Sequence, residues 1–306
     1  MPTTLFINPE FQSLVRRYRL DDFDRVMSWS DGEKIGINAS RGIQRIDLDD
    51  DGRPITLYLK REWRTYLKDR LANWLAGFGW SSKARREQLV LQRLAESAIG
   101  CPEVVAMAER GGWRPKGYLI LMAIPFGLDL AEFLKLHGPS LSVGERRQLA
   151  AHLGHEVARM HAAGVDQPDL FSKHVFLSGT PASIVDVRSP FELPRVSFID
   201  LQRSGVRGQV SVRARLRDLA ALDATLPVEL ASVSDRVVFL DSYLSNVPMN
   251  IDRRAAIDQI QCRADRLGRR RKIQNMREGR PPKRPKRRPH FLTPRADAPT
   301  IEARRS

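Results

Sequence analysis

Asp169, His174 and Asp200 are spaced as the working groups of a phosphoryl-transfer centre. Asp169 is followed five positions on by His174 and then by the apolar run Val175–Leu177, while Asp200 ends the apolar segment VSFID. A hydroxyl that attacks a γ-phosphate needs a carboxylate to orient it and take its proton, and the triphosphate needs a divalent cation held by hard ligands. A loop aspartate, a polar residue a few positions on, and an aspartate closing the next strand supply those parts in order.

Protein kinases write these parts as H-R-D, four residues, N, and later D-F-G. Here the first part reads Gln167-Pro168-Asp169 and ends in His174, and the second reads Ile199-Asp200-Leu201. The spacing agrees and the letters agree in part. Pro168 holds Gln167 in extended backbone, and no Arg stands beside Asp169 to pair with a phosphorylated loop, so control by such phosphorylation is not expected. His174 is a softer ligand than Mg²⁺ ordinarily takes, which leaves it either to position phosphate or to reach a metal through water.

Other elements must carry these groups. Lys34–Asn38, IQRIDL and ITLYLK predict three antiparallel strands, with a tight DDDGR turn between the last two. The first connection, NASRG, lies between Gly36 and Gly42; by itself it reads as an ordinary hairpin turn. Lys60 ends the third strand, where a lone Lys is usually a solvated charge. Glu87 lies on the helix SKARREQLVLQRL. Between them the insert WRTYLKDRLANWLAGFGW aligns Leu67, Leu71, Trp74, Leu75 and Phe78 on one helical face, with Arg61, Arg64, Lys68 and Arg70 around it. That face fits either packing on the small lobe or a membrane surface.

IGCPEVVAMAE and GYLILMAI predict two buried strands, and Pro125-Phe126-Gly127 breaks the chain before a helix. Ser142 and Glu145 have capping-box spacing at the start of a long helix that delivers the chain to Asp169. The histidines of that helix, His152, His155 and His161, lack the i, i+4 pair of a zinc site and read as structural or solvated. Asp218 opens a further apolar helix, where an acid satisfies free backbone amides.

The strings LYLKRE, SKARREQ, PDLFSKHVFL, FIDLQR and RDLAAL follow one another in this order, and the sequence from about residue 34 to 245 thereby resembles the bacterial lipopolysaccharide kinases of the Kdo/WaaP type. The resemblance implies an α+β, two-lobed protein-kinase-like fold. Residues 1–123 would form a small antiparallel-sheet N-lobe, 124–267 a mainly helical C-lobe, and 268–306 a disordered basic tail. It implies ATP with Mg²⁺ or Mn²⁺, and Asp169, Lys60 and Glu87 in the catalytic roles. Gly36, Gly42, Lys60 and the backbone at Met122 and Ile124 would hold nucleotide, Asp200 and His174 the metal, and Asp218 would support the catalytic loop. The acceptor it implies is a sugar hydroxyl of a lipopolysaccharide core or related glycolipid, at the cytoplasmic face of the inner membrane.

Charge and composition limit the alternatives. The net charge is +15, of which residues 268–306 carry 14 Lys or Arg against 3 acids, in a stretch that includes PPKRPKRRP. Such a tail cannot bury apolar surface and reads as disordered; it would be drawn to an anionic membrane and, less favoured, to nucleic acid. No apolar run reaches the roughly 20 residues of a membrane span. No signal segment opens the sequence, and Cys101 and Cys262 form no paired motif, so a reducing cytoplasm is expected. Three competing readings remain: an inactive kinase-like binding protein, a small-molecule kinase, and a nucleic-acid-binding protein.

Overall fold

A six-stranded antiparallel sheet, in the order β1-β5-β6-β4-β3-β2, forms the first lobe of the computed structural model, which describes residues 3–37, 39–179, 192–247, 249 and 251–277. Its strands are β1 (Thr3–Ile7), β2 (Glu33–Ile37), β3 (Arg41–Asp50), β4 (Arg53–Glu62), β5 (Val104–Arg110) and β6 (Lys116–Met122). The expected strands are present. The β3–β4 hairpin closes through Asp51 and Gly52, both at positive φ, and the Gly52 amide donates to Asp49 Oδ1. That is the two-residue turn Asp-Gly favours. β1 was not foreseen: TTLFI has strand composition, but only pairing with β5, from Thr3 opposite Arg110 to Ile7 opposite Ala106, reveals it.

One face of the sheet is covered by helices α1 (Gln12–Tyr18) and α2 (Phe23–Met27), whose Leu14, Val15, Phe23 and Val26 pack on Leu57, Leu59, Tyr118 and Ile120. α1 follows a short 3-10 turn at Pro9–Phe11, capped by Asn8. Arg61 fixes this layer by donating to the carbonyls of Met27 and Trp29 and to Gln44 Oε1. It is therefore buried, not part of a basic surface, which corrects the sequence expectation. The other face holds α4 (Lys83–Glu96), N-capped by Ser82, with Val90, Leu91 and Leu94 in the main core. Each such buried apolar side chain contributes about 1.5–3 kcal/mol.

α3 (Leu67–Leu75) lies between β4 and α4, with its polar side inward. Arg70 and Asn73 are buried, whereas Leu67, Leu71, Trp74 and Leu75 are exposed. Arg70, expected on the basic surround, is thus a second inward-facing arginine.

The chain leaves β6 at Met122, turns through Phe126 at positive φ, and enters β7 (Leu128–Asp129) and α5 (Leu130–His137). α6 (Val143–Ala162) begins in the foreseen Ser142–Glu145 capping box. Gly164, at positive φ, then turns the chain into β8 (Val165–Asp166), and a Cβ here would meet the Arg207 carbonyl oxygen at 1.9 Å. β9 (Val175–Ser178) pairs with both β7 and β10 (Arg195–Phe198), and β11 (Gly205–Val206) pairs with β8. Helices α7 (Val212–Asp223), α8 (Val233–Asn246) and α9 (Arg253–Arg277) complete the second lobe. α9 runs ten residues into the segment read as an irregular tail, because Arg, Lys and Gln are good helix formers and the first proline comes at 281. The proline-rich remainder lies outside the described residues, as does Asn38 of NASRG.

Candidate active site

Lys60 and Glu87 meet. Lys60 stands on β4 opposite Leu119 of β6 and Ile43 of β3, and its Nζ is 2.6 Å from Glu87 Oε1 on α4. Glu87 is buried, so this is a partly desolvated pair at fixed register. Gly36 pairs with Ile43, which pairs with Lys60, so the β2–β3 hairpin lies in line with the lysine. Gly42 sits opposite Arg61 in the next position of the same ladder.

Asp169, His174 and Asp200 form the opposite half. After β8 the chain passes Gln167, whose amide donates to Asp218 Oδ2 at 2.7 Å and whose side-chain amide donates to the Ile199 carbonyl at 2.9 Å. The loop is pinned by both bonds, one to α7's aspartate and one to the residue before Asp200. A 3-10 turn at Ser172–His174 brings the His174 ring back, and its Nδ1 donates to the Asp169 carbonyl at 2.7 Å. That fixes the tautomer, leaving the Nε2 lone pair 3.4 Å from Asp200 Oδ2. Burial pushes the His174 pKa down, against the pull of Asp200, so the ring is neutral at neutral pH.

Asp200 itself has φ 58°, a left-handed conformation that Asp tolerates better than most residues. Burial would raise its pKa, but the surrounding cations, Lys60 foremost with Arg41 and Lys173, outweigh it and hold the carboxyl below its usual range. Arg41, at the start of β3, is a cation that sequence reading passed over. Arg203 donates to both oxygens of Asp169, at 3.0 and 3.1 Å.

Asp218 is fully buried in the middle of α7, which opens at its N-cap Ser211 and not, as expected, at Asp218, and it accepts from the Gln167 amide, Arg217 Nε at 2.8 Å and His161 Nε2 at 3.3 Å. Arg217 also reaches Asp166 Oδ2 at 2.5 Å, and Asp166 Oδ1 accepts the Gly205 amide. His161 is buried edge-on against Tyr243, with Nδ1 2.7 Å from its hydroxyl, which is the packing role read for it. Among the described residues, no cluster of three or more His, Cys, Asp or Glu side chains could hold a metal ion. Asp200 and His174 therefore offer two protein donors at most.

The lobes are joined by Arg86, next to Glu87. Its Nε and Nη2 donate to the carbonyls of Ser204 and Arg203 at 2.8 and 2.7 Å, and its Nη1 donates to Asn73 Oδ1 at 3.0 Å. Neither Arg86 nor Arg203 was singled out from the sequence; both lie inside the strings SKARREQ and FIDLQR. At the hinge, the Met122 amide already donates to the Glu103 carbonyl and the Ala123 amide to Thr56. Met122 therefore has no amide to spare for a ligand, because β6 extends that far. Apart from this cleft, an apolar cavity of about 210 Å³ opens in the second lobe, lined by Leu134, Leu149, Leu153, Leu219 and Leu240 and by Arg146 and Arg236.

Comparison with known proteins accords with this geometry. The lipopolysaccharide kinase (Kdo/WaaP) family model matches residues 32–243. The lipopolysaccharide core heptose(I) kinase WaaP of Pseudomonas aeruginosa is 28% identical over 208 residues, covering 65% of this chain and 72% of the relative. A solved structure described as WaaP in complex with acyl carrier protein superposes with a TM-score of 0.65 at 24% identity, covering 86% of this chain and 99% of that one. The lobed arrangement is therefore the fold of that structure, and the strand lysine, the catalytic-type loop and the following aspartate all fall within the family match. The chain belongs to the lipopolysaccharide kinase (Kdo/WaaP) family and is a phosphotransferase.

Proposed function

We propose that this protein transfers the γ-phosphate of ATP to a sugar hydroxyl of a lipopolysaccharide core or closely related glycolipid. The observation that carries the reading is the pairing of Lys60 with Glu87 above a loop in which Asp169, His174 and Asp200 converge. An inactive kinase-like protein has no need of a partly desolvated Lys–Glu pair beside the Asp200 carboxylate, and a free small-molecule acceptor accounts less well for the family match.

In this reading Asp169 orients the acceptor hydroxyl and takes its proton as the acceptor oxygen bonds to the γ-phosphorus and the bond to the β-phosphate oxygen breaks, releasing ADP. Lys60 binds the α/β-phosphates, and Glu87 holds it there. The hairpin bearing Gly36 and Gly42 covers the phosphates, and the Ile124 amide reads the adenine edge. Asp218 positions the loop through Gln167.

A divalent cation fits the donor set. The His174 lone pair and the Asp200 carboxylate face each other at 3.4 Å with no proton between them, an arrangement a cation relieves. Mg²⁺ commonly takes one or two protein ligands and completes its shell with phosphate and water. Bound there, it would neutralise charge on the transferring phosphate; Asp200 is the main ligand and His174 the subsidiary one.

The acceptor class sets the place of work. No helix among the described residues is long and apolar enough to cross a membrane, so we propose peripheral association with the inner membrane. Incubating the protein with labelled ATP, Mg²⁺ and host glycolipids tests the activity. Phosphate appearing on a core sugar with wild type and not with Asp169→Asn is the expected result; transfer only to small soluble alcohols would overturn it.

One further partner is proposed on a separate observation. The cavity of the second lobe is apolar, the Arg146 and Arg236 of its lining being paired with Asp235 and Asp223; it suits an acyl chain, and the structural relative is in complex with acyl carrier protein. Intact-mass analysis of the purified protein should show an acyl carrier co-purifying; its loss on Leu153→Arg would tie it to the cavity.

A further inference from the structure

Helix α3 is built with its apolar side facing out. Arg70 is buried between Trp80 and Trp113, its guanidinium carbon 4.2 and 5.2 Å from their ring centroids, and it donates to the Trp113 carbonyl. Asn73 donates to the Ser81 carbonyl at 2.8 Å and accepts from Arg86. Rolling the helix to bury its leucines would turn Arg70 and Asn73 to solvent and take the partner from Arg86 Nη1 and from the Ser81 carbonyl, both on buried residues, a cost that buried polar atoms do not ordinarily bear. The exposure of Leu67, Leu71, Trp74 and Leu75, at 58, 47, 57 and 68%, is therefore enforced by the fold.

The rim of this face is aromatic and basic. Trp113 is 73% exposed beside it, and Arg64 and Lys68 lie over the ring of Tyr66, 5.3 and 5.9 Å from its centroid. The one acid of the helix, Asp69, is already paired with Lys83 at 2.8 Å. Trp and Tyr favour the headgroup level of a bilayer, where an apolar body and a polar edge are both satisfied.

We propose that the exposed face of α3 seats this protein on an anionic lipid bilayer, its leucines and Trp74 in the acyl boundary and Arg64 and Lys68 among the headgroups. The inference deepens the proposed function by naming the surface through which a membrane-bound acceptor is met. Charge selects this occupant: the basic C-terminal segment of the same chain carries the same sign, and a second copy would set like charges against each other. The inward side of the helix is tied to the chemistry, since Asn73 is bonded to Arg86, which holds the loop whose Arg203 pairs with Asp169.

The test is sedimentation of the full-length protein with phosphatidylcholine vesicles, with and without about one third phosphatidylglycerol, at low salt and at about 0.5 M salt, where screening removes most of the pull of the basic segment. At high salt Leu71→Ser/Trp74→Ser should partition roughly tenfold more weakly than the parent. Arg64→Glu/Lys68→Glu should lose preference for phosphatidylglycerol at low salt. All four side chains are exposed, so folding is not at stake, and phosphorylation of a soluble core oligosaccharide should be unchanged in the first variant. Parent-like partition of Leu71→Ser/Trp74→Ser at high salt would overturn the proposal, as would a dimer abolished by those substitutions with vesicle binding intact. Partition is read without turnover, so a protein that seats normally but transfers no phosphate sinks the kinase reading and leaves this one standing.

Discussion

Arg203 lies across the carboxylate of Asp169, donating to both oxygens at 3.0 and 3.1 Å, while its own side chain remains 64% exposed. The pair thus caps the group proposed to receive the acceptor proton, yet it is solvated enough to open. Such exposed pairs contribute about 0–1 kcal/mol. Asp169→Asn should lower turnover about 10²- to 10⁴-fold with an unchanged circular dichroism spectrum, since the amide cannot take the proton. Arg203→Gln should shift the denaturant midpoint little and reduce turnover by much less. A larger loss for Arg203→Gln would transfer the main role from the aspartate to the arginine.

Lys60 and Asp200 should separate chemistry from binding. Lys60→Met removes a charge aimed at the phosphates and should lower kcat about 10²- to 10³-fold, with nucleotide still bound. Asp200→Ala should weaken ATP binding chiefly in the presence of Mg²⁺. Calorimetric titration with and without the metal checks this: equal affinities for wild type and Asp200→Ala would remove Asp200 from the metal site.

The His174 ring gives a pH signature. Burial depresses its pKa from 6.5, so the unfolded chain binds a proton in a range where the folded protein does not. The contribution to stability is fully present above 6.5 and declines as the pH falls from there toward the folded value. Protonation would also turn Nε2 into a donor toward Asp200 and end its use as a ligand. The acid limb of kcat should therefore fall below 6.5, and His174→Gln should flatten both that limb and this part of the stability slope.

Asp218 has three donors to satisfy and no exposed surface. Asp218→Asn should cost about 1–3 kcal/mol in chemical unfolding, because one amide oxygen cannot serve all three and its NH₂ faces donors. Turnover should fall through the loosened Gln167 amide while the KM for ATP changes little; a collapse of ATP affinity alone would contradict a positioning role.

The sequence by itself determined the local parts: the Asp-Gly hairpin, the Ser142–Glu145 cap, the strand holding Lys60, and the order of strings around Asp169 and Asp200. These are legible because turn chemistry, caps and alternation act over a few residues. The family resemblance, and not spacing, marked Lys60 and Glu87 as candidates, and a pair 27 positions apart forms only when β4 and α4 pack. Arg86 and Arg203 were hidden for the same reason, since a guanidinium among many in a basic chain gains its meaning from the carbonyls and carboxylate it meets. The edge strand β1 needed β5 to be seen. Most plainly, periodicity located the apolar stripe of α3 but could not say which way it turns; the partners of Arg70 and Asn73, supplied by Trp80, Trp113, Ser81 and Arg86, hold the polar side inward and leave the leucines to the solvent.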